Sequence, residues 1–165
     1  MTEADAGPVV MTGAVQPEWL DYNGHMNYAY YVVAFDRASD VLYDRLGMGI
    51  EYRARTGRTT YVVETHVAYL KEMKGGERFT VETVIAGTDG KRLHLYQRLL
   101  NEGGEACATS EVLSLSIDQG GERPRVVPFE DGPQAAIQAM MAGQSAYPKE
   151  VSRFIAIRSQ TAALV

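Results

Sequence analysis

Only one cysteine, Cys107, stands in this chain of 165 residues. An intramolecular disulfide is therefore excluded, and a reducing compartment is implied. Positive charge is also short: 16 Lys and Arg face 21 Asp and Glu, for a formal net charge of −5. That balance gives no support to a nucleic-acid partner. No uninterrupted apolar run approaches the roughly 20 residues that cross a bilayer as a helix. The opening residues, Met1-Thr-Glu-Ala-Asp-Ala-Gly7, have no basic stretch leading into an apolar one, which argues against a secretory signal. The expectation is a cytoplasmic protein with no membrane partner. Several chemical signatures are missing as well. There is no Walker loop and no Gly-x-Gly-x-x-Gly fingerprint. Ser110 and Ser114 lack the nucleophile-elbow pattern of serine hydrolases. The histidines His25, His66 and His94 do not have metal-binding spacing. Neither a metal nor a cofactor is expected.

What is present sorts into one domain with loose ends. Residues 1–8 are small and polar, end in Gly7-Pro8, and read as an arm. Val9 to Val15 has β-type composition. Tyr28 to Leu46 reads as a helix, apolar all round in its first half and ended by Gly47 and Gly49. Ile50 to Arg58 reads as a polar loop, with room for one helical turn. Thr59–Glu72, Arg78–Thr88, Lys91–Asn101 and Glu105–Asp118 then show period-two alternation. Turn chemistry separates them: Lys74-Gly-Gly76, Asp89-Gly90 and Glu102-Gly-Gly104. These runs predict an antiparallel meander of four strands, whose apolar face must curl around the helix to bury both. Pro128–Gly143 contains a second helical stretch. The expected division is a domain over 9–130 and a helical extension with a tail over 131–165.

The densest chemistry lies at the start of the long helix, in Asp21-Tyr-Asn23-Gly-His25-Met-Asn27. A carboxylate, two amides and an imidazole gather where a helix exposes unpaired N–H groups and partial positive charge. Such a place can stabilise an oxygen that becomes negative during acyl transfer.

The motif resembles the helix entry of hotdog-fold thioesterases, which often carry an Asp-x-Asp loop before a Gly-His-Val-Asn-Asn-like segment. The order of one strand, one helix and four strands from about Val9 to Asp118 agrees with that α+β fold, a curved antiparallel sheet wrapped around one long central helix. Asn23 stands where the 4-hydroxybenzoyl-CoA type carries its catalytic Asp, and an amide cannot serve as base or nucleophile at neutral pH. The Asp-x-Asn-x-His-x-Asn pattern is similar to plant acyl-carrier-protein thioesterases, which place a Glu on the next strand; Tyr69-Leu-Lys-Glu72 occupies that place here. Along the whole chain the sequence is most similar to small bacterial betainyl-CoA thioesterases of carnitine degradation. Trp19-Leu-Asp-Tyr-Asn-Gly-His-Met-Asn27, Ala34-Phe-Asp-Arg-Ala38, Val63-Glu-Thr-His-Val67, Tyr69-Leu-Lys-Glu72 and Lys91-Arg-Leu-His94 carry that likeness.

The resemblance implies hydrolysis of a small acyl-CoA, with betainyl-CoA foremost, by a homodimer or homotetramer. It makes Asp21, Asn23, His25 and Glu72 the catalytic candidates. Asp21 would hold the loop, Asn23 and His25 would bind the carbonyl or the attacking water, and Glu72 would be nucleophile or general base. Substrate-binding candidates are Asn27, Tyr28, Tyr31, Glu64, His66, Lys91 and Arg92. Each has a plainer reading beside it. Asp21 and Asn27 suit loop and cap positions. Period two sets Glu64, His66, Ala68, Leu70 and Glu72 on one strand face, toward the substrate or on the outer surface of the sheet. Lys91 and Arg92 beside a turn are either solvated or placed for CoA phosphates. His94, between Leu93 and Leu95, reads as a structural strand residue. Two other functions stay open: a non-catalytic acyl-CoA binding or sensing module, kept alive by Asn23, and a hotdog dehydratase.

Overall fold

The computed structural model describes residues 7–144, 151 and 154–157. Residues 1–6 of the expected arm and most of the expected tail therefore lie outside the described residues. The elements in chain order are β1 (Val9–Ala14), a 3-10 turn at Pro17–Trp19, α1 (Tyr28–Arg45), α2 (Ile50–Thr56), β2 (Arg58–Tyr69), β3 (Arg78–Thr88), β4 (Arg92–Asn101), β5 (Ala106–Asp118), β6 (Arg125–Val126) and α3 (Asp131–Gly143). The stretch 50–58, read as a loop, is thus largely helical, and Gly57 ends that helix in the left-handed conformation at φ 69°.

The four long strands do not form the expected meander. Sheet order is β1-β3-β4-β5-β2, antiparallel at each pairing, with the short β6 beside β5. Only β3, β4 and β5 follow one another as hairpins. β2 crosses to the far edge and pairs with β5, while β1 takes the place beside β3. The Lys74-Gly-Gly76 segment is accordingly a crossover rather than a hairpin turn. It runs back under the entry of α1: the Met26 N–H donates to the Met73 carbonyl, and His25 bridges Lys74. Turn-forming residues alone do not say which strand comes next, because the partner is chosen by distant apolar faces.

The sheet curls around α1. Tyr31, Ala34, Phe35 and Ala38 pack at one end with Trp19, Met73, Phe79, Val81 and Leu99. At the other end Leu42, Tyr43 and Leu46 pack with Ile85, Leu93, Leu95 and Val112. Between them Gln97 donates to the Phe35 carbonyl and to the Ser39 and Thr83 hydroxyls, so the polar atoms of mid-helix are met inside the core. Helix α3 contributes fully buried Ile137 to the second cluster and is part of the domain core rather than an appendage.

One irregularity orients β2. The register shifts between Val62, opposite Ser114, and Glu64, opposite Leu113, so Val63 is the extra residue of a bulge. Val62 consequently shares the helix-facing side with Ser114, which receives the Tyr43 hydroxyl. Beyond the bulge, Val67 and Tyr69 face the helix cluster and the tyrosines of α1. Glu64, His66 and Ala68 lie on the outer face.

Candidate active site

Loop 20–27 is held by its own polar groups. The Asp21 carboxylate accepts the Asn23 N–H at 2.8 Å and the His25 N–H at 3.3 Å. The Asp21 N–H donates to the His25 carbonyl, and the Gly24 N–H donates to the Asp21 carbonyl. Gly24 sits at φ 78°, where a side chain would be strained although space is open around it. Asn27 caps α1, its Oδ1 accepting the Ala29 N–H at 3.0 Å. Two of the four polar side chains are thus occupied in shaping backbone. The other two, Asn23 and His25, project from the loop. Asn23 is exposed, and among the described residues no hydrogen bond engages its side chain. The Tyr28 N–H, first of the helix, likewise has no acceptor among the described residues. It is one of the orphan donors that every helix start leaves.

Glu72 comes to this loop from the other side. Strand β2 ends at Tyr69, and the next two N–H groups, Leu70 and Lys71, both donate to the Cys107 carbonyl. The chain turns there, so Glu72 does not share the strand face of Glu64 and His66. Its Oε2 lies 3.5 Å from His25 Nε2, with side-chain exposures of 76% and 30%. Tyr31 supports this turn from below: its hydroxyl donates to the Lys71 carbonyl at 3.3 Å. Burial pushes the Tyr31 phenol up to about 12, with the charges of Cys107 and Glu72 adding to the rise, so the ring stays neutral. Lys71 is held by Glu105, which leaves Glu72 facing His25. Cys107 is buried, and burial raises its thiol above the ordinary range, which suits an inert packing residue.

The remaining candidates are spread out. Tyr28 and Tyr31 stand at the helix mouth beside Tyr69. Glu64 and His66 are on the outer face of the sheet, where His66 stacks on Phe154 with ring centroids 3.5 Å apart. Their common face with Glu72 is corrected by the end of β2. Lys91 directly precedes β4 and Arg92 begins it, while the other end of the strand, Asn101, holds Glu105 beside Lys71. The length of that strand, about 30 Å, separates them from Glu72 within one protomer. Arg92 is also paired with Asp89 at 2.7 Å. His94 is buried with Glu111 on the outer face, at 3.0 Å. Among the described residues no group of His, Cys, Asp and Glu could hold a metal ion. Among the described residues no helix is long and apolar enough to cross a membrane.

From the sequence, Tyr69 counts only as one of several aromatics crowding the helix mouth and the strand facing it (Trp19, Tyr22, Tyr28, Tyr30, Tyr31, Tyr61 and Tyr69), a composition suited to a quaternary ammonium, and not as a named site residue. The structure ties its hydroxyl to the Tyr28 carbonyl at 3.2 Å and its ring to those of Tyr28 and Tyr31. Alternation held the signal, since Tyr69 must face opposite to Ala68 and Leu70.

An amide-and-imidazole loop at a helix start, with a carboxylate brought across from the crossover, can hold a carbonyl, receive charge on its oxygen and activate water. The family model of the thioesterase-like superfamily matches residues 15–139. The chain belongs to that superfamily. It is a thioesterase with the hotdog fold. It is 38% identical over 135 residues to the betainyl-CoA thioesterase of Pseudomonas aeruginosa, covering 81% of this chain and 84% of that protein. Among solved structures, protein SAV2348 of Staphylococcus aureus, in complex with CoA, superimposes with a TM-score of 0.81 at 29% identity, covering 92% of this chain and 96% of that one. The DHNA-CoA thioesterase of Staphylococcus aureus gives a TM-score of 0.74 at 18% identity, covering 82% of this chain and 92% of that one, which speaks for the fold.

Proposed function

We propose that this thioesterase hydrolyses a small acyl-CoA, with betainyl-CoA preferred, through Glu72 acting with the Asn23–His25 loop. The observation that carries the reaction is the convergence of Glu72 on His25 at the unpaired start of α1. The thioester carbonyl oxygen would take the Tyr28 N–H, and Asn23 would hold the carbonyl or the water. Glu72 draws a proton from water, the water oxygen bonds to the carbonyl carbon, and a tetrahedral oxyanion forms. Its collapse breaks the C–S bond, and the departing thiolate takes back the proton, giving a free carboxylic acid and CoA. The general-base role is favoured over direct attack because Glu72 is 76% exposed and therefore solvated. The betainyl group is supported by the Pseudomonas aeruginosa relative, which this chain matches over most of both lengths. Binding of CoA itself is supported by the SAV2348 complex.

The active unit is proposed to be a homodimer formed by the β2 edge. Among the described residues that edge has no strand beside it in the protomer, and Val62 and Val63 there are 54% and 53% exposed. Antiparallel pairing of two β2 edges reverses direction, so the Lys91–Arg92 end of one copy would meet the Glu72 end of the other. Lys91, exposed and separated from Glu72 within one chain by about 30 Å of strand, would then reach the nucleotide phosphates. Sedimentation at micromolar concentration should give a dimer or a tetramer; an active monomer refutes the arrangement. Free cytoplasmic CoA thioesters and a buried reduced thiol fit a cytoplasmic location.

Release of free thiol from betainyl-CoA, acetyl-CoA and long-chain acyl-CoAs tests the assignment. The expected order of kcat/KM places betainyl-CoA first. Absence of thiol release from every acyl-CoA, with CoA still bound, would favour a sensing module instead.

A further inference from the structure

The acyl group of betainyl-CoA is short: a single methylene separates its trimethylammonium from the reacting carbonyl. Whatever recognises the cation must therefore lie beside the oxyanion donor, within about one side chain of the Tyr28 N–H. This condition removes most candidates. Glu64 is on the outer face of the sheet. Tyr61, hydrogen-bonded to Gln119, is at the opposite end of β2. Trp19 and Tyr30 stack at the helix mouth, with centroids 5.4 Å apart, but Arg37 already lies 5.3 Å over the Trp19 ring. Their cation-binding face is occupied from within the chain.

One aromatic group satisfies the condition. Tyr69 meets Tyr28 at a centroid distance of 6.3 Å and an interplanar angle of 85°, and meets Tyr31 at 5.4 Å and 81°. Nearly perpendicular rings make a corner, and a tetrahedral ammonium can rest its methyl groups on the negative faces of such a corner. Tyr31 is buried as the floor, whereas Tyr28 and Tyr69 are 70% and 47% exposed and leave the corner open to a ligand. The rings are fixed in advance. The Tyr69 hydroxyl is tied to the Tyr28 carbonyl and the Tyr31 hydroxyl to the Lys71 carbonyl. Fixed rings lose little entropy on binding. Among the described residues no lysine or arginine is recorded against these rings, and nearby Lys71 is engaged by Glu105.

We propose that Tyr28 and Tyr69, backed by Tyr31, bind the quaternary ammonium of the acyl group and set the selectivity of the enzyme. The assignment rests on the betainyl-CoA reading. It also gives Tyr69 a reason to tie itself to Tyr28: the strand end and the helix start that shape the carbonyl site carry the specificity as well.

The test compares kcat/KM for betainyl-CoA with that for its neutral isostere 3,3-dimethylbutanoyl-CoA, in wild type, Tyr69→Phe, Tyr69→Leu and Tyr28→Leu. Wild type should favour the cation by about tenfold or more. Tyr69→Phe, which keeps the ring, should retain most of that ratio. Tyr69→Leu and Tyr28→Leu should each lower it by about fivefold to tenfold. Continued hydrolysis of the isostere reports that each variant is folded. A ratio unchanged in both Leu variants overturns the tyrosine corner and leaves the betainyl reading standing. A wild-type ratio near one, with betainyl-CoA still preferred over acetyl-CoA, overturns it in favour of recognition by shape. A wild type inactive on betainyl-CoA but active on another acyl-CoA overturns both this proposal and the reading beneath it.

Discussion

Two histidine–glutamate pairs stand in this protein, and they differ in how completely their hydrogen bonds are filled. His25 and Glu72 meet at 3.5 Å on two loops, with side chains 30% and 76% exposed. His94 and Glu111 meet at 3.0 Å on neighbouring strands, with side chains 2% and 3% exposed. Glu111 also accepts the Phe154 N–H at 3.2 Å and the Ile155 N–H at 3.0 Å. A carboxylate so deeply placed needs those donors, because burial without them would cost several kcal/mol on the order of the ion's desolvation. Once they are made, it has little capacity left for a substrate. Glu72 is the reverse case. It has water, one loose partner and no backbone donor among the described hydrogen bonds, so it can accept a proton without dismantling the fold. The same two residue types thus serve opposite ends according to how completely their bonds are filled.

Substitutions can break this contrast. Glu72→Gln keeps the shape and removes the proposed base. Turnover should fall by about a thousandfold, as expected when a general base is lost, while the urea midpoint stays where it was. Full thiol release from Glu72→Gln would move the base elsewhere, with Asp21 the first alternative. Glu111→Gln should act on the other quantity. Its amide group turns an NH2 toward donors, leaving buried N–H groups without acceptors, at a cost of about 2–3 kcal/mol. Urea unfolding should show that loss, with activity per folded molecule retained. A variant of Glu111 that folds normally but fails to turn over would mean that the outer face takes part in catalysis.

The sequence made the local features legible and left the distant ones hidden. The Asn27 cap, the long helix and the bounds of β3 follow from neighbouring residues and from periodicity, and they stand in the structure as read. The place of β2 beside β5 does not, because Lys74-Gly-Gly76 suits a hairpin and a crossover equally. That single connection decides the site, since it is the crossover that brings Glu72 back to His25. The bulge at Val63 was equally hidden. It exists only relative to the partner strand, yet it turns Glu64 away from the face that Val62 occupies. Glu72 could be singled out only by resemblance; nothing in its own alternation distinguishes it from a solvated carboxylate. His94 read as structural from its leucine neighbours, but its partner is 17 residues away on another strand.

The smallest expected effect concerns protons on the buried pair. Burial lowers the His94 pKa below the ordinary 6.5, and this outweighs the opposing pull of the Glu111 charge. The folded protein therefore holds His94 neutral, as a donor to Glu111, in a range where the unfolded chain binds a proton at that imidazole. Stability then rises with pH across the window and falls as pH drops from about 6.5 toward the lowered folded value. Urea midpoints measured at pH 7.5 and at pH 5.5 should show this decline, in a range still above the titration of ordinary carboxylates. His94→Gln keeps a donor for Glu111 but cannot titrate, so its two midpoints should lie closer together than those of wild type. A wild-type midpoint that rises on acidification would mean that His94 is protonated in the fold. The buried pair would then be an ion pair, held by charge rather than by a filled set of hydrogen bonds, and its contrast with His25 and Glu72 would rest on burial alone.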